Sequence, residues 1–228
     1  MSDKVRRVFS DMSANYDKIN RFFSLGTMPL WRREAAKEAM LDKPRYRALD
    51  IGTGTGELAF DICREAAQGG KNVAITGIDF SRNMVDLARK KASAKKLAAR
   101  FEFGDALSLK YGKCSFDLVV SALVVKSVDS QDAFARESYR VLRKGGKMVI
   151  LEMIRPKGLL NRLLINAYWR SVVRMGFVGN SDAYHTLKRS VDGFDWKGFT
   201  VKLKRSGFRN VAGKVLFSGA AILITATK

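Results

Sequence analysis

The chain has 228 residues, 46% of them hydrophobic, and a formal net charge of +20 from 42 Lys and Arg against 22 Asp and Glu. This size suits one α/β domain with a substantial core, and the apolar share argues against a disordered protein. Because there is no uncharged apolar run of about 18 residues and no apolar stretch at the amino terminus, we predict neither a membrane span nor a secretory signal. Cys63 and Cys114 are expected to be buried thiols in a reducing compartment, and with a single histidine they are too few for a structural zinc site.

Strand-like and helix-like segments alternate over the first two thirds of the chain, and the strand-like ones are nearly continuous apolar runs. This pattern predicts βαβ units in a parallel sheet that helices cover on both faces. In chain order, strands are predicted at 46–51, 72–79, 100–105 and 116–123, with a fifth after a glycine turn within 144–154, and helices at 57–67, 81–96 and 130–143. Ser81 is expected to cap the second of these helices.

The pattern changes after Pro156. Helices are predicted at 158–177, 181–191 and 195–208, followed by two strands at 209–217 and 218–228. Gly207 suits the position just after the end of a helix. We therefore predict a single domain over 1–228, with an N-terminal helical lid at 1–45 and a helical insertion at 155–195 in the substrate region.

The positive charge is concentrated in the second half of the chain. Residues 155–214 contain thirteen Lys and Arg against three Asp, a net of +10, and no acidic residue lies between Glu152 and Asp182. Such a field attracts nucleic acid or anionic lipid, although the charge can also serve solubility alone. The apolar, basic segment 158–177 is either a core helix of the insertion or a helix that lies on a bilayer with its arginines at the headgroups.

A glycine-rich stretch, LDIGTGTGELAF at 49–60, follows the first predicted strand and precedes the first helix. Glycines at this place let the backbone approach a ligand closely, and the helix start offers free N–H groups. A phosphate-binding loop would have Lys where Glu57 stands, and the glycine spacing does not fit a dinucleotide fold. Asp50 and Glu57 oppose a pyrophosphate and favour a cationic ligand, and S-adenosylmethionine, with a sulfonium and an ammonium, is such a ligand.

The arrangement D-x-G-x-G-x-G after the first strand resembles motif I of class I methyltransferases. The ends of the second and third strands, the fourth strand and the paired terminal strands also fit that group. The resemblance implies a Rossmann-like, doubly wound α/β sheet, mostly parallel with an antiparallel C-terminal strand and helices on both faces, and S-adenosyl-L-methionine as cofactor. The cofactor-binding residues that it implies are Asp50, Gly52, Thr53, Gly54, Thr55, Gly56, Asp79, Phe80, Met84, Asp105, Ala106 and Ser121.

The chain resembles, more narrowly, the UbiE family of quinone-biosynthesis methyltransferases. The segments that carry this resemblance are YDKINRFFSLGTMPLWRR (16–33), GIDFSRNMVDLARKK (77–91), RVLRKGGKMVILEMIRP (140–156) and DAYHTLKRSV (182–191). Members methylate a ring carbon of a polyprenylated benzoquinol or naphthoquinol. The resemblance therefore implies a C-methyltransferase that acts on a quinol of the demethylmenaquinol or benzoquinol type in menaquinone or ubiquinone biosynthesis.

One segment departs from the family pattern. Where the family usually has Phe-Gly-Leu-Arg-Asn after the fourth strand, this chain has Leu-Val-Val-Lys-Ser at 123–127. The family arginine is a proposed participant in activating the substrate hydroxyl, and lysine keeps its charge without its planar fork. We predict Lys126 and Arg32 as cations that favour the phenolate, and Tyr184 as a residue that orients the quinol.

Other interpretations stay open from the sequence. One is a methyltransferase for another small molecule or lipid, a second is an RNA methyltransferase, which the charge suits, and a third is a non-catalytic cofactor-binding subunit. The favoured partners are the quinol and an anionic membrane surface, with nucleic acid less favoured. The predicted location is the cytoplasm, with peripheral contact on the inner face of the membrane.

Overall fold

The computed structural model describes residues 24, 26–155, 191–216 and 219–228. Five helices are described: α1 (Met28–Glu38), α2 (Glu57–Gln68), α3 (Arg82–Ala94), α4 (Gln131–Val141) and α5 (Trp196–Arg205). Seven strands are described: β1 (Arg45–Ile51), β2 (Asn72–Asp79), β3 (Ala99–Phe103), β4 (Phe116–Ala122), β5 (Leu142–Met153), β6 (Arg209–Leu216) and β7 (Ala221–Thr227). A short 3₁₀ turn, Val125–Ser127, follows β4.

All seven strands form one sheet in the order β3-β2-β1-β4-β5-β7-β6. The strands β1 to β5 run parallel, whereas β7 runs antiparallel to both β5 and β6. This confirms the predicted mostly parallel, doubly wound sheet with an antiparallel C-terminal strand. The chain winds outward from β1 to β3 and then returns to place β4 on the other side of β1. In open α/β sheets, ligands bind outside the carboxyl ends of the strands at such a switch point.

Helices cover both faces of the sheet, and alternate residues of β1 show the two sides. Ala48 packs in a core with α1, α2 and α3, which includes Trp31 and Phe60. The next residue, Leu49, packs in the opposite core, with Phe134 of α4 and Phe199 of α5. Since successive side chains of a strand point to opposite faces, β1 is buried on both of them.

The predicted boundaries agree closely with the structure, with one informative exception. The glycines near 145 were expected to form a turn before the fifth strand, but β5 begins at Leu142, directly after α4. Its pairing with β4 shifts register between Phe116 and Leu118, and Gly145, with φ +74°, lies in this irregular part. The glycines therefore lie in an irregularity inside the strand, where four residues of β5, 143–146, lie opposite the single residue Asp117 of β4.

Two further expectations meet different outcomes. Cys114 is exposed and Cys63 is only half-buried, so the prediction of two buried thiols was wrong. Cys114 lies in the turn before β4 with φ +55°, where the chain passes over the surface. The helices predicted at 158–177 and 181–191 fall almost entirely outside the described residues. The segment predicted as a helical lid contains α1, while its first 23 residues are not described.

Candidate active site

The loop between β1 and α2 has a backbone that only glycine adopts without strain. Gly52, Gly54 and Gly56 have φ values of +69°, +54° and +86°, all in the left-handed region. A β-carbon at Gly52 would lie 2.3 Å from Cγ2 of Val124, which belongs to the segment after β4. The loop is thus shaped by backbone conformation and by its close approach to the segment after β4.

Asp50, near the end of β1, is a buried carboxylate with an incomplete set of hydrogen bonds. Its side chain accepts a bond from Thr53 Oγ1 at 2.7 Å through Oδ2, while the buried Oδ1 has no hydrogen-bond partner among the described residues. Burial raises the pKa of Asp50 to about 7, the Thr53 bond opposes this rise, and the negative Asp79 adds to it. A buried, unsatisfied carboxylate oxygen is costly, so it favours a cationic ligand at this place.

Asp79, the last residue of β2, links the glycine loop to the start of α3. Its Oδ2 accepts the N–H of Gly54 and its Oδ1 accepts the N–H of Ser81, both at 2.9 Å. Burial raises the pKa of Asp79 to about 6, although these backbone bonds oppose the rise. The N-cap of α3 is Ser81, whose Oγ accepts the N–H of Met84, so the predicted cap is confirmed.

A cavity of about 870 Å³, measured with the solvent at its open mouth, lies at the carboxyl ends of the central strands. Its walls come from the glycine loop, the ends of β2 and β3 and the segment after β4. The lining residues are Gly52, Gly54, Ile78, Asp79, Phe80, Met84, Gly104, Asp105, Ala106, Leu107, Leu123, Val124, Ser127, Val128 and Asp129. The cavity therefore lies at the switch point of the sheet, where a ligand site is expected.

The charges on the cavity wall are of one sign. Asp79, Asp105 and Asp129 line it, and no Lys or Arg does so within the part of the chain that the structure describes. This is the reverse of the net charge of +20 of the whole chain. The wall favours a ligand with positive groups and an apolar body, and it opposes one with phosphates.

The predicted cofactor residues divide into two groups. Those that line the cavity are Gly52, Gly54, Asp79, Phe80, Met84, Asp105 and Ala106. Those that are not on its wall are Asp50, Thr53, Thr55, Gly56 and Ser121. The buried hydroxyl of Ser121 donates to the carbonyl of Ile51 at 2.7 Å, which ties β4 to β1. The five residues that are not on the wall belong to the glycine loop and to the strands that support it.

The predicted catalytic cations lie away from the cavity wall. Arg32 of α1 donates from Nε to Asp61 at 2.8 Å, and its guanidinium is 3.6 Å from Glu57. Lys126 is ion-paired with Glu152 at 2.8 Å, and the two side chains are 1% and 0% exposed. Tyr184 lies outside the described residues. In this structure both cations are therefore held by carboxylates.

Several lining residues were not predicted as site residues, and most of them follow β4. They are Leu123, Val124, Ser127, Val128 and Asp129. Their signal in the sequence was their place directly after a central strand, since the carboxyl ends of neighbouring parallel strands meet at one edge. Leu123 also has φ +63°, an uncommon conformation for a bulky residue.

No helix among the described residues is long and apolar enough to cross a membrane.

Comparisons with known proteins agree with this geometry. A family model described as the ubiE/COQ5 methyltransferase family matches residues 1–228. A demethylmenaquinone methyltransferase of Deinococcus radiodurans is 40% identical over 90% of this chain and 85% of its own length. A ubiquinone/menaquinone biosynthesis C-methyltransferase of Geotalea daltonii is 33% identical over 99% of this chain and 97% of its own length.

Solved structures show the same fold. A methyltransferase of Thermotoga maritima, dependent on S-adenosylmethionine, has a TM-score of 0.68 at 20% identity, covering 97% of this chain and 99% of its own. A phosphoethanolamine N-methyltransferase of Haemonchus contortus, solved in complex with S-adenosyl-L-methionine, has a TM-score of 0.63 at 19% identity. It covers 86% of this chain and 52% of its own. The predicted class I methyltransferase fold is confirmed.

Proposed function

The chain belongs to the ubiE/COQ5 methyltransferase family, and we propose that it transfers a methyl group from S-adenosylmethionine to a ring carbon of a polyprenylated quinol. The acceptor is of the demethylmenaquinol or benzoquinol type, because two of the similar proteins are named for demethylmenaquinone and for ubiquinone and menaquinone. The observation that carries the cofactor part of the proposal is the cavity wall, where carboxylates surround a glycine loop that leaves no room for a side chain at Gly52.

The residues present fit S-adenosylmethionine. The buried Oδ1 of Asp50 has no hydrogen-bond partner among the described residues, and its negative charge favours a cationic ligand nearby. Asp79 has a carboxylate on the cavity wall, where ribose hydroxyls could donate to it. Asp105 and Ala106 would meet the adenine edge, with Phe80 as part of the surrounding wall. When bound, the cofactor supplies an electrophilic methyl group on a sulfonium. The side chains of the protein must hold the cofactor and the acceptor in the geometry that the transfer requires.

The acceptor side of the cavity must hold a ring in line with the methyl group. An aromatic carbon is a weak nucleophile until a ring hydroxyl loses its proton, so orientation and support of the phenolate are the tasks of the protein. The apolar part of the cavity wall suits the flat face of such a ring; it is formed by Leu107, Leu123, Val124 and Val128. Tyr184 of the insertion remains a predicted orienting residue.

Of the two predicted cations, Lys126 is the one placed to influence this acceptor wall. Its neighbour Ser127 lines the cavity, whereas Arg32 is bonded to the carboxylates of α2.

The proposal includes cytoplasmic location and peripheral contact with an anionic membrane, since a polyprenylated acceptor resides there. The net charge of +20 and the basic, apolar segment 158–177 support it. Sedimentation with vesicles of phosphatidylglycerol and phosphatidylcholine tests this part. Binding is expected to the anionic vesicles and to weaken with salt, while equal recovery with neutral vesicles would contradict it.

The activity is tested with methyl-labelled S-adenosylmethionine and membranes from a host that lacks its own quinone methyltransferases. Label is expected in an organic-phase species that migrates with a quinone. Label in another lipid would move the substrate to a different class, and label only in unmodified RNA supplied in parallel would contradict the quinol. Asp79→Ala is expected to abolish cofactor binding in calorimetry, and unchanged affinity would contradict the assigned site.

A further inference from the structure

The ion pair of Lys126 and Glu152 is the most enclosed one among the described residues, with side chains 1% and 0% exposed. It joins two segments that are far apart in the chain, the 3₁₀ turn after β4 and the end of β5. Lys126 Nζ donates to Glu152 Oε2 at 2.8 Å and to the carbonyl of Leu123 at 2.9 Å. The backbone N–H of Lys126 donates to Glu152 Oε1 at 3.4 Å. Glu152 thus holds the turn through both the side chain and the backbone of one residue.

This turn and the residues on either side of it form one wall of the cavity, the wall to which the proposed function assigns the acceptor ring. Leu123, Val124, Ser127 and Val128 line the cavity, while Val125 and the ammonium of Lys126 face away from it. Leu123 has φ +63°, an unfavourable conformation for leucine. Such a conformation persists only where the surrounding structure holds it, so the segment depends on its contacts with β5. A second bond, from the N–H of Leu123 to the carbonyl of Leu151, joins the same segment to β5.

The position of the turn matters at the cofactor loop as well. Val124 lies so close to Gly52 that a β-carbon there would be 2.3 Å from Cγ2 of Val124. A small displacement of the turn would therefore change the width of the cavity between the cofactor loop and the acceptor wall. An enzyme that must align a ring with a methyl group depends on such distances, since a displacement of about 1 Å can cost about 100-fold in rate.

We infer that Lys126 and Glu152 form a positioning pair, which holds the acceptor wall in place, and that neither side chain touches the acceptor. This inference rests on the proposed function for its substrate. The charge of Lys126 is compensated by Glu152 and enclosed with it, so the pair acts through the turn that it holds. Among the described residues, the bonds that the Glu152 side chain accepts both come from Lys126, through its ammonium and its backbone N–H.

Three variants separate this role from that of a cation that stabilises the phenolate. Lys126→Met and Glu152→Gln each remove one partner, and Lys126→Met combined with Glu152→Met replaces the pair by apolar side chains. Replacing a whole buried ion pair by apolar groups of similar size is often neutral, whereas removing one partner is strongly destabilising. Lys147→Met is the matched control, because Lys147 lies earlier on β5 and pairs with Glu38 at 2.7 Å outside the cavity wall.

Turnover is measured with demethylmenaquinol in detergent micelles, together with the Kd of S-adenosylmethionine. Each single variant is expected to lower kcat/KM by about 100-fold, mostly through the KM of the acceptor, with the cofactor Kd changed by less than about threefold. The double variant is expected to recover to within about tenfold of the unmodified protein. A double variant as inactive as Lys126→Met would overturn the inference. So would a Glu152→Gln variant that keeps its activity, because the cation alone would then suffice.

A second readout needs no turnover and therefore separates this inference from the proposed function. In protein with ¹³C-labelled valine methyl groups, the Val124 resonances are expected to shift or broaden in both single variants and to return in the double variant. Resonances that stay unchanged in Glu152→Gln would overturn the positioning role, whatever the substrate. Absence of turnover in the unmodified protein and in Lys147→Met would count against the quinol substrate. The Val124 methyl resonances would then still test whether Lys126 and Glu152 position the wall.

Discussion

Asp50 and Asp117 are carboxylates on neighbouring strands of one sheet, and the structure treats them in opposite ways. Asp117, at the amino end of β4, accepts bonds from the N–H of Arg47 at 2.9 Å and from Lys43 and Arg143 at 3.0 Å each. Burial by itself would raise its pKa, but these three donors more than offset it and the pKa of Asp117 is lowered. Asp50, toward the carboxyl end of β1, has one donor and one open oxygen, and its pKa is raised to about 7.

The difference distinguishes a carboxylate that supports the fold from one that awaits a ligand. Three donors at Asp117 compensate its charge within the protein, so its loss should reduce stability. The charge of Asp50 is hardly compensated, so its loss should cost little stability and weaken the binding of a cation. The two ends of the same sheet thus separate stability from binding.

The largest effect is expected at the floor of the cavity. Gly52→Ala combines strain at φ +69° with a β-carbon 2.3 Å from Val124, and it should weaken the binding of S-adenosylmethionine by about 100-fold or more. Gly70→Ala is the control, since Gly70 has a similar φ of +66° with nothing within 4 Å, at the opposite end of the sheet.

The control should lose about 1 kcal/mol of stability and keep its cofactor Kd. Calorimetric titration measures both variants. Adding Val124→Ala to Gly52→Ala should restore part of the binding by removing the methyl groups that clash. If Gly70→Ala weakened binding as much as Gly52→Ala, strain alone and not the shape of the cavity would be responsible.

The next effect compares the two carboxylates directly. Asp50→Asn should weaken cofactor binding by about 30-fold, because a negative charge close to the glycine loop, which attracts a cationic ligand, is removed. Asp117→Asn should leave the Kd unchanged and lower the free energy of unfolding by about 2 kcal/mol, because three donors lose their charged partner. Chemical denaturation and calorimetry on both proteins give the four values. The separation fails if both variants lose binding and stability in the same proportion.

A smaller effect is expected in the pH dependence of stability. The pKa values of Asp50 and Asp79 are raised from 3.8 to about 7 and about 6 by burial. Between about pH 4 and pH 7 the folded protein therefore binds more protons than the unfolded chain, and its free energy of unfolding falls as the pH rises. Asp50→Asn should reduce this fall by on the order of 2 kcal/mol.

Urea denaturation without cofactor at pH 5 and at pH 7.5 measures this change. Asp117→Asn should leave the fall in place, since the lowered pKa of Asp117 affects stability only as the pH falls through its own, more acidic range. Identical pH dependence in Asp50→Asn and the unmodified protein would contradict the raised pKa of Asp50 in the folded protein.

The smallest effect is expected at Arg32, whose positive charge, like the negative charge of Asp117, is compensated by charged partners within the protein. Its guanidinium contacts Asp61 at 2.8 Å and Glu57 at 3.6 Å, and these contacts join α1 to α2. Arg32→Met should lower stability by about 1 kcal/mol and leave the cofactor Kd and the kcat unchanged. Thermal unfolding and steady-state kinetics measure the change. A large loss of kcat with normal stability would return Arg32 to the catalytic residues.

Local patterns predicted most elements to within one or two residues, because burial on both faces leaves apolar strands and because Ser81 and Gly207 mark helix ends. They were less informative where two chain segments meet. The glycines near 145 were assigned to a turn, since a local pattern does not show that β4 and β5 shift register there. Nor does a local pattern show that the hydroxyl of Ser121, a predicted cofactor-site residue, donates to the carbonyl of Ile51 on the neighbouring strand.

The local sequence specifies the alternating architecture, the glycine loop and the acidic residues around it, because each of these depends on a spacing of a few residues. It also indicated the methyltransferase family, through segments that extend over nearly the whole chain. Which charged residues pair with one another across the chain depends on the assembled fold. Whether Lys126 is open to the cavity or enclosed by Glu152, and whether Asp50 or Asp117 has the donors, depends on which strands are neighbours and in which register. Those relations arise when the sheet assembles, and no local pattern contains them.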